Sequence, residues 1–125
     1  MCIFDNVPAP AMMLDTSLKI KGANQSMLSY HGCNTCDKVY SNLENNRSWP
    51  AILAKAYAAL KGESSTMEYD FVQEGTFSLR KAKAAISPVR NTDGDIIGVS
   101  IIEKDYTWKK SLLSGLQELR NTVTQ

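Results

Sequence analysis

At 125 residues the chain is long enough to bury one hydrophobic core and too short for two domains. Its 43% apolar content is that of an ordinary globular protein, and a net charge of +1 gives no electrostatic reason to expect nucleic acid or an anionic membrane surface as partner. No apolar run reaches a membrane span, no signal segment opens the chain, and three cysteines make no disulfide framework. The expected compartment is therefore a reducing cytoplasm, with no direct membrane insertion of this segment, although a longer parent protein would be free to carry an anchor.

In chain order, a short helix is expected over Cys2 to Asn6, stopped by Pro8 and Pro10. Met12 to Asp15 and Leu18 to Gly22 read as a hairpin about Asp15-Thr16-Ser17. Asn24 suits an N-cap, because its side chain can accept from a free amide of the first turn, for a helix running to about His31. Gly32 closes it. Residues 33–47 are polar and read as irregular, with one or two short helical turns.

Ser48 is positioned to cap the next helix, with Pro50 in the first turn, where a missing amide hydrogen costs little. Ala51 to Leu60 has strong helix propensity, and Ile52, Ala56, Ala59 and Leu60 recur at the spacing of a buried face, closed by Gly62. Met67-Glu68-Tyr69-Asp70-Phe71 alternates apolar with acidic, the pattern of a half-buried strand. Glu74-Gly75 turns it into a long strand, Phe77 to Arg90, whose Pro88 suits an edge or a strand end. Asn91-Thr92-Asp93-Gly94 is a tight turn, and Asp95 to Asp105 is the last strand. After Thr107, residues Trp108, Leu112, Leu116, Leu119 and Val123 fall at spacings of four, four, three and four, a helical stripe close to a heptad seam. Two strands, then helices, then three sequential strands imply an α+β fold with an antiparallel sheet and helices on one face.

Three segments together carry a family likeness. The run from Ile86 through Asn91-Thr92-Asp93-Gly94 to Asp105-Tyr106-Thr107 resembles the C-terminal hairpin and Asp-x-Thr exit of PAS domains. Ile3 to Asp15, with Pro8 and Pro10 before the strand, resembles their opening, and Leu18 to Leu28 resembles their second strand and the Asn that starts the next helix. The likeness spans about residues 3 to 107. It implies a PAS fold, with a five-stranded antiparallel sheet, helices on one face and a C-terminal signalling helix. Residues 1–107 would be the sensory domain, and 108–125 the linker helix that begins a coiled coil.

The resemblance also implies a function. This would be the input domain of a prokaryotic signal-transduction protein, with a histidine kinase, diguanylate cyclase or chemoreceptor module as output in the same polypeptide. Asp105 and Thr107 would relay the signal, with Tyr106 in place of the usual aliphatic residue. A homodimer is expected through the stripe Trp108, Leu112, Leu116, Leu119 and Val123, and no nucleic acid is expected among the partners.

Candidates for a small-molecule pocket are Met13, Tyr30, Ile52, Ala56, Tyr57, Met67, Tyr69, Phe71, Ile86, Val99 and Ile101. Residues at these periods also make ordinary core; Tyr57 and Tyr69 stand out because a buried phenol needs a partner and can orient a ligand. His31-Gly32-Cys33-Asn34-Thr35-Cys36 is the one cluster of metal- or redox-type side chains. A zinc there would need Cys2 to complete His31, Cys33 and Cys36, so two reduced loop cysteines and no metal is the favoured reading. His31 by itself reads as a helix-end residue suited to the C-terminal dipole.

No cofactor is named by these patterns. Trp49 to Lys61 holds no His for an axial haem ligand of the PAS type, and Asn42-Leu43-Glu44-Asn45-Asn46-Arg47 lacks the cysteine of the flavin-photosensing relatives. Haem and a flavin adduct are thus disfavoured. No nucleophile–base pair, paired carboxylates or phosphate loop stands out, so no enzymatic activity is expected. Two alternatives to a ligand sensor remain: a ligand-free dimerisation module, and a redox or metal switch at Cys33 and Cys36.

Overall fold

The computed structural model of the protein describes residues 9–105. The expected helix at Cys2 to Asn6, the relay residue Thr107 and the stripe Trp108, Leu112, Leu116, Leu119 and Val123 lie outside the described residues. Five strands, β1 (Ala11–Leu14), β2 (Ile20–Ala23), β3 (Ser65–Val72), β4 (Leu79–Arg90) and β5 (Ile96–Asp105), form one antiparallel sheet in the order β2-β1-β5-β4-β3. Three helices, α1 (Gln25–His31), α2 (Cys36–Glu44) and α3 (Trp49–Leu60), connect β2 to β3. The last strand thereby inserts at the centre, in register with β1 from Ala11↔Ile102 to Leu14↔Val99.

Local chemistry explains most boundaries. The Asp15 carboxylate accepts from the amides of Ser17 and Lys19, bending the chain between β1 and β2. Asn24 caps α1 through the Met27 amide at 2.9 Å, and the same side chain accepts from Ala11 N and donates to Ala9 O. A cap of this kind contributes about 0.5–2 kcal/mol. Here it also ties the helix start to β1.

Pro88 sits in β4, an interior strand, but β3 ends its pairing at Ser65↔Ile86. Beyond that point β4 has a neighbour on one side only, and the missing amide hydrogen removes no bond to β3. It is a strand-end proline, as the sequence allowed.

Two expectations need correction. Residues 33–47 are more ordered than expected, because Cys36–Glu44 is a nine-residue helix. Thr35 caps it by accepting from Lys38 N, and Val39 and Leu43, four apart, are its buried face. Ser48 precedes α3 but makes no side-chain cap; its amide instead donates to Asn46 Oδ1.

The helices cover one face of the sheet. Strand alternation sends Met12 and Leu14 of β1 and Val99 and Ile101 of β5 into this core, with Ile52, Ala56 and Ala59 of α3 against them. Met13 is buried but lies outside that cluster, since the alternation turns it to the opposite face. Its assignment to an inner pocket is therefore corrected. Among the described residues, no helix is long and apolar enough to cross a membrane.

Candidate functional site

The far end of the inner face, over β3, β4 and β5, is built differently. Val99, Ile101 and Glu103 alternate along β5, so the same face that buries two aliphatics also buries a carboxylate, which is 1% exposed. The facing positions on β4 are small. Ala84 pairs with Glu103 and Ala82 with Asp105, while Tyr69 and Phe71 stand on β3 beyond them. Two alanines leave room above the sheet, and the end of α1 fills it.

That end is held by the β3–β4 turn. Gln73 Nε2 donates to Tyr30 O at 2.9 Å and Glu74 N to His31 O at 3.1 Å, satisfying carbonyls that a helix terminus leaves open. Gly32 follows in the left-handed region at φ 72°, and a Cβ there would overlap the Glu74 carbonyl oxygen. Only glycine lets the turn come this close.

His31 is thereby pushed into the interior, 2% exposed. Its Nε2 lies 2.6 Å from Glu103 Oε1, and its ring stacks on Phe71 at 4.0 Å with planes 10° apart. Tyr30 stands edge-on to both rings, at 5.6 Å from His31 and 5.0 Å from Phe71. Withdrawing a carboxylate from water costs several kcal/mol, which one short, charge-assisted bond offsets only in part. Among the described residues, Glu103 Oε2 and Tyr69 Oη, both buried, have no hydrogen-bond partner. This end of the sheet carries polar groups that a core built only for stability would not hold.

The Tyr30 hydroxyl is bonded to Asp105 and lies 3.2 Å from Lys81 O. Burial pushes its pKa well above the ordinary phenol value, with the negative charges of Asp105 and Glu103 adding to it. Arg80 reaches the same carboxylate, Nη1 to Asp105 Oδ2 at 3.6 Å. One connected set of side chains thus runs from His31 and Phe71 to the last residue of β5.

A cleft of about 340 Å³ opens beside this cluster, lined by His31, Asn42, Leu43, Asn45, Asn46, Phe71, Val72, Glu74 and Phe77. That is the lower end of small-molecule site volumes. Phe77 stands at its lip, exposed and in the left-handed region at φ 56°. Cys33 lies behind the wall, with Sγ 3.7 Å from Glu74 Oε2 and 3.5 Å from Asn42 Nδ2. Burial raises the thiol pKa, and the Glu74 charge raises it further.

Of the expected pocket residues, Phe71 alone lines this cleft. Tyr30 backs it through the ring contacts, and Tyr69 is buried two residues before Phe71 on the same face. Ile52, Ala56, Ile86, Val99 and Ile101 are packed into the apolar core, with Met67 partly buried against it. Tyr57 is 56% exposed, on the side of α3 opposite Ile52 and Ala56, and its assignment to the pocket is corrected. His31 is the last residue of α1, at the helix end as expected, and the structure adds that its ring is buried at the centre of the cluster. Cys33 and Cys36 are free thiols. Among the described residues no three His, Cys, Asp or Glu side chains gather as metal ligands, so His31, Cys33 and Cys36 do not assemble a metal site. Glu103, Glu74, Asn42 of α2 and Asn45 and Asn46 just after it were not among the expected site residues, although an acidic residue in the Val99-Ile101-Glu103 alternation was a visible signal.

No family model and no curated protein matches the chain. Solved structures do. VqmA of Vibrio cholerae, a dimer described among LuxR-type receptors, superposes with a TM-score of 0.69 at 15% identity, over 86% of this chain and 50% of its own. The chain thus spans about half the length of that receptor. The PAS domain of a Colwellia psychrerythraea protein gives 0.63 at 14% identity, over 82% and 89% of the two chains. The PAS domain of Bordetella pertussis BvgS gives 0.60 at 19% identity, over 95% and 92%. VqmA has also been solved as a ligand–DNA complex, which overturns the expectation of a partner set without nucleic acid. The near-zero net charge behind that expectation describes one segment, and a DNA-reading element elsewhere in a polypeptide leaves no mark on it. At these identities the likeness shows the fold, and with the strand order and one-sided helices described above it makes this chain a PAS-fold domain.

Proposed function

We propose that this domain is the sensory input of a signalling protein: it binds a small molecule in the cleft beside His31 and Phe71 and passes the occupancy on through Tyr30 and Asp105. The observation that carries this reading is the buried His31–Glu103 pair stacked on Phe71 at the cleft wall, which carries a desolvation cost that a packed apolar core would not. A ligand that reorients His31 or Phe71 acts on Tyr30 through the edge-on contacts, and so on Asp105 and Arg80 at the exit of β5. Binding that favours one arrangement of that exit shifts a two-state output by its differential affinity alone.

The output is the rest of a longer polypeptide. Kinase, cyclase and chemoreceptor modules come from the family likeness, and VqmA adds a DNA-binding receptor to that set. Asp105 and Thr107 are the relay positions in this reading, with the stripe from Trp108 to Val123 as the signalling helix.

Native mass spectrometry of the whole chain, compared with its denatured mass, tests the reading. Excess mass released on denaturing, and absent from Asn45→Trp, is the expected result, because a Trp at this exposed position fills the cleft without touching the core. Excess mass retained in Asn45→Trp overturns the cleft as the site. A second reading, a ligand-free interaction module, draws on the close packing of Ile52, Ala56, Ile86, Val99 and Ile101, which are 0–1% exposed. It predicts a clean mass in both proteins, even after exposure to cell extract.

A further inference from the structure

The face of the sheet turned away from the helices changes character at one end. Across β3, β4 and β5 it runs as a charged row, Glu68 beside Lys83 beside Lys104, and then as the pair Asp70 and Lys81, bonded at 3.2 Å. The next pair is Val72 and Leu79, both more than half exposed. Phe77 stands at the tip of the same hairpin, so three of the five large apolar side chains exposed among the described residues sit there together. Single exposed apolar residues are ordinary, but a contiguous group at a strand end marks a surface that something covers.

At the same end, Leu79 to Lys81 have β3 on one side, while the ladder with β5 reaches only to Ala82↔Asp105 among the described residues. The chain has not turned away from β4 at that point. Asp105 Oδ2 lies 3.6 Å from Nη1 of Arg80, two residues nearer the hairpin tip than the pairing partner Ala82. From Ala84↔Glu103 to Ala82↔Asp105 the register is unbroken, and three more residues of it bring Trp108 opposite Leu79. Alternation then turns Trp108 to the face that carries Lys83, Lys104, Leu79 and Val72. Three residues of strand advance about 10 Å, which also separates Ala82 from Leu79 along β4. An indole buries about 150–250 Å², an area that spans two aliphatic side chains.

We propose that the exposed end of the β3–β4 hairpin is the seat of this chain's own exit segment, with the Trp108 indole packed on Leu79 and Val72. Residues 1–8 leave the sheet at this end too, since Pro10 O accepts from Glu103 N, but β5 stands between β1 and β4. The exit segment is the nearer one. Trp108 is thereby drawn from the stripe into the domain, and Leu112, Leu116, Leu119 and Val123 are what the stripe keeps for a partner. Val72 belongs both to the seat and to the cleft wall. The seat itself rests on strand register and exposure, and it stands whether or not the cleft takes a ligand.

Nuclear Overhauser contacts in the whole chain, with protonated Trp and Phe rings and Leu and Val methyls in a deuterated background, read the seat directly. Cross-peaks from the Trp108 indole to the methyls of Leu79 and Val72 are the expected result. Their absence, or cross-peaks to those methyls from the Phe4 ring instead, overturns the seat. In an equimolar mixture of methyl-protonated chains and ring-protonated chains the cross-peaks are expected to vanish. Their persistence there overturns a seat within one chain, because a second copy then supplies the ring.

Fluorescence gives an independent reading. In Trp49→Phe the remaining indole is Trp108, and its quenching by acrylamide is expected to be well below that of the same chain in urea. Leu79→Ser is expected to raise it to the urea level and Leu112→Ser to leave it unchanged. Leu79 is half exposed and outside the core, so its replacement leaves the fold intact. Quenching already at the urea level before substitution, unaltered by Leu79→Ser, or raised equally by Leu112→Ser overturns the seat. None of these outcomes touches the cleft, which the comparison of native and denatured mass tests on its own.

Discussion

The inner face of the sheet has two halves made on opposite principles. Around β1, β5 and α3 it is almost wholly apolar: Met12, Leu14, Ile52, Ile86, Val99 and Ile101 are at most 1% exposed, and Ser65 Oγ, across from Ile86, is the buried side-chain polar atom left there without a hydrogen-bond partner among the described residues. Further along the same strand the face holds Glu103, His31 and two aromatic hydroxyls, and among the described residues Glu103 Oε2, Tyr69 Oη and Arg80 Nε are buried there without a hydrogen-bond partner. The first half repeats what any small α+β domain needs, a dry region that folds the chain. The second half is held less cheaply, and alternation alone explains neither its carboxylate nor its histidine. One strand, β5, serves both, so whatever disturbs the polar half is mechanically joined to the half that holds the fold.

The sharpest way to break that contrast is at Glu103. Glu103→Ala is expected to cost about 3–5 kcal/mol in a urea unfolding curve, because it strands His31 Nε2 and removes volume together. The double variant His31→Phe with Glu103→Leu replaces both partners by apolar groups and is expected to regain at least wild-type stability. If the polar half exists for binding, this double variant is stable and retains no ligand. A double variant that remains as unstable as Glu103→Ala would mean that the pair is itself structural.

The apolar half should respond otherwise. Ile86→Ala, at a 0% exposed position between Ser65 on β3 and Ile101 on β5, is expected to cost about 2–5 kcal/mol through lost burial and the cavity left behind. No second substitution nearby is expected to restore it short of refilling the volume. Ligand retention by the fraction that stays folded should be unchanged, since Ile86 does not line the cleft. Retention that falls in step with Glu103→Ala, at equal folded fraction, would erase the functional distinction between the halves.

The fold was legible where a residue type has one strong local use. Asn24 as a cap, Gly32 as a left-handed terminator and Asn91 with Gly94 in a turn act within a few residues, and the structure keeps each in its expected place. The helix α2 was not legible, because its buried face is only Val39 and Leu43 on an otherwise polar segment, and tertiary contact supplies what propensity does not. The site was less legible still. His31 is ordinary at a helix end, and only the approach of the β3–β4 turn, 42 to 43 residues away, drives it inward. Glu103 sits amid aliphatics, and its partner lies 72 residues upstream in sequence. Period-two reading showed the face on which Glu103 lies, but no local rule shows what it meets.

Tyr57 marks the smallest expected effect and the limit of pattern reading on a helix. In an alanine-rich run, nearly every large side chain looks like a core residue, and Tyr57 is the largest between Trp49 and Leu60. The face is settled by geometry instead: Ile52, Ala56 and Ala59 pack on the sheet, and one residue beyond Ala56 the helix has turned about 100° toward solvent. Tyr57→Ala should therefore change stability by less than about 0.5 kcal/mol and leave ligand retention untouched, because alanine has the higher helix propensity and the ring covers little. A loss above about 2 kcal/mol would show that this exposed ring is buried in the working protein, against a second copy or another domain. The two halves of the inner face would then share their load with a surface outside both.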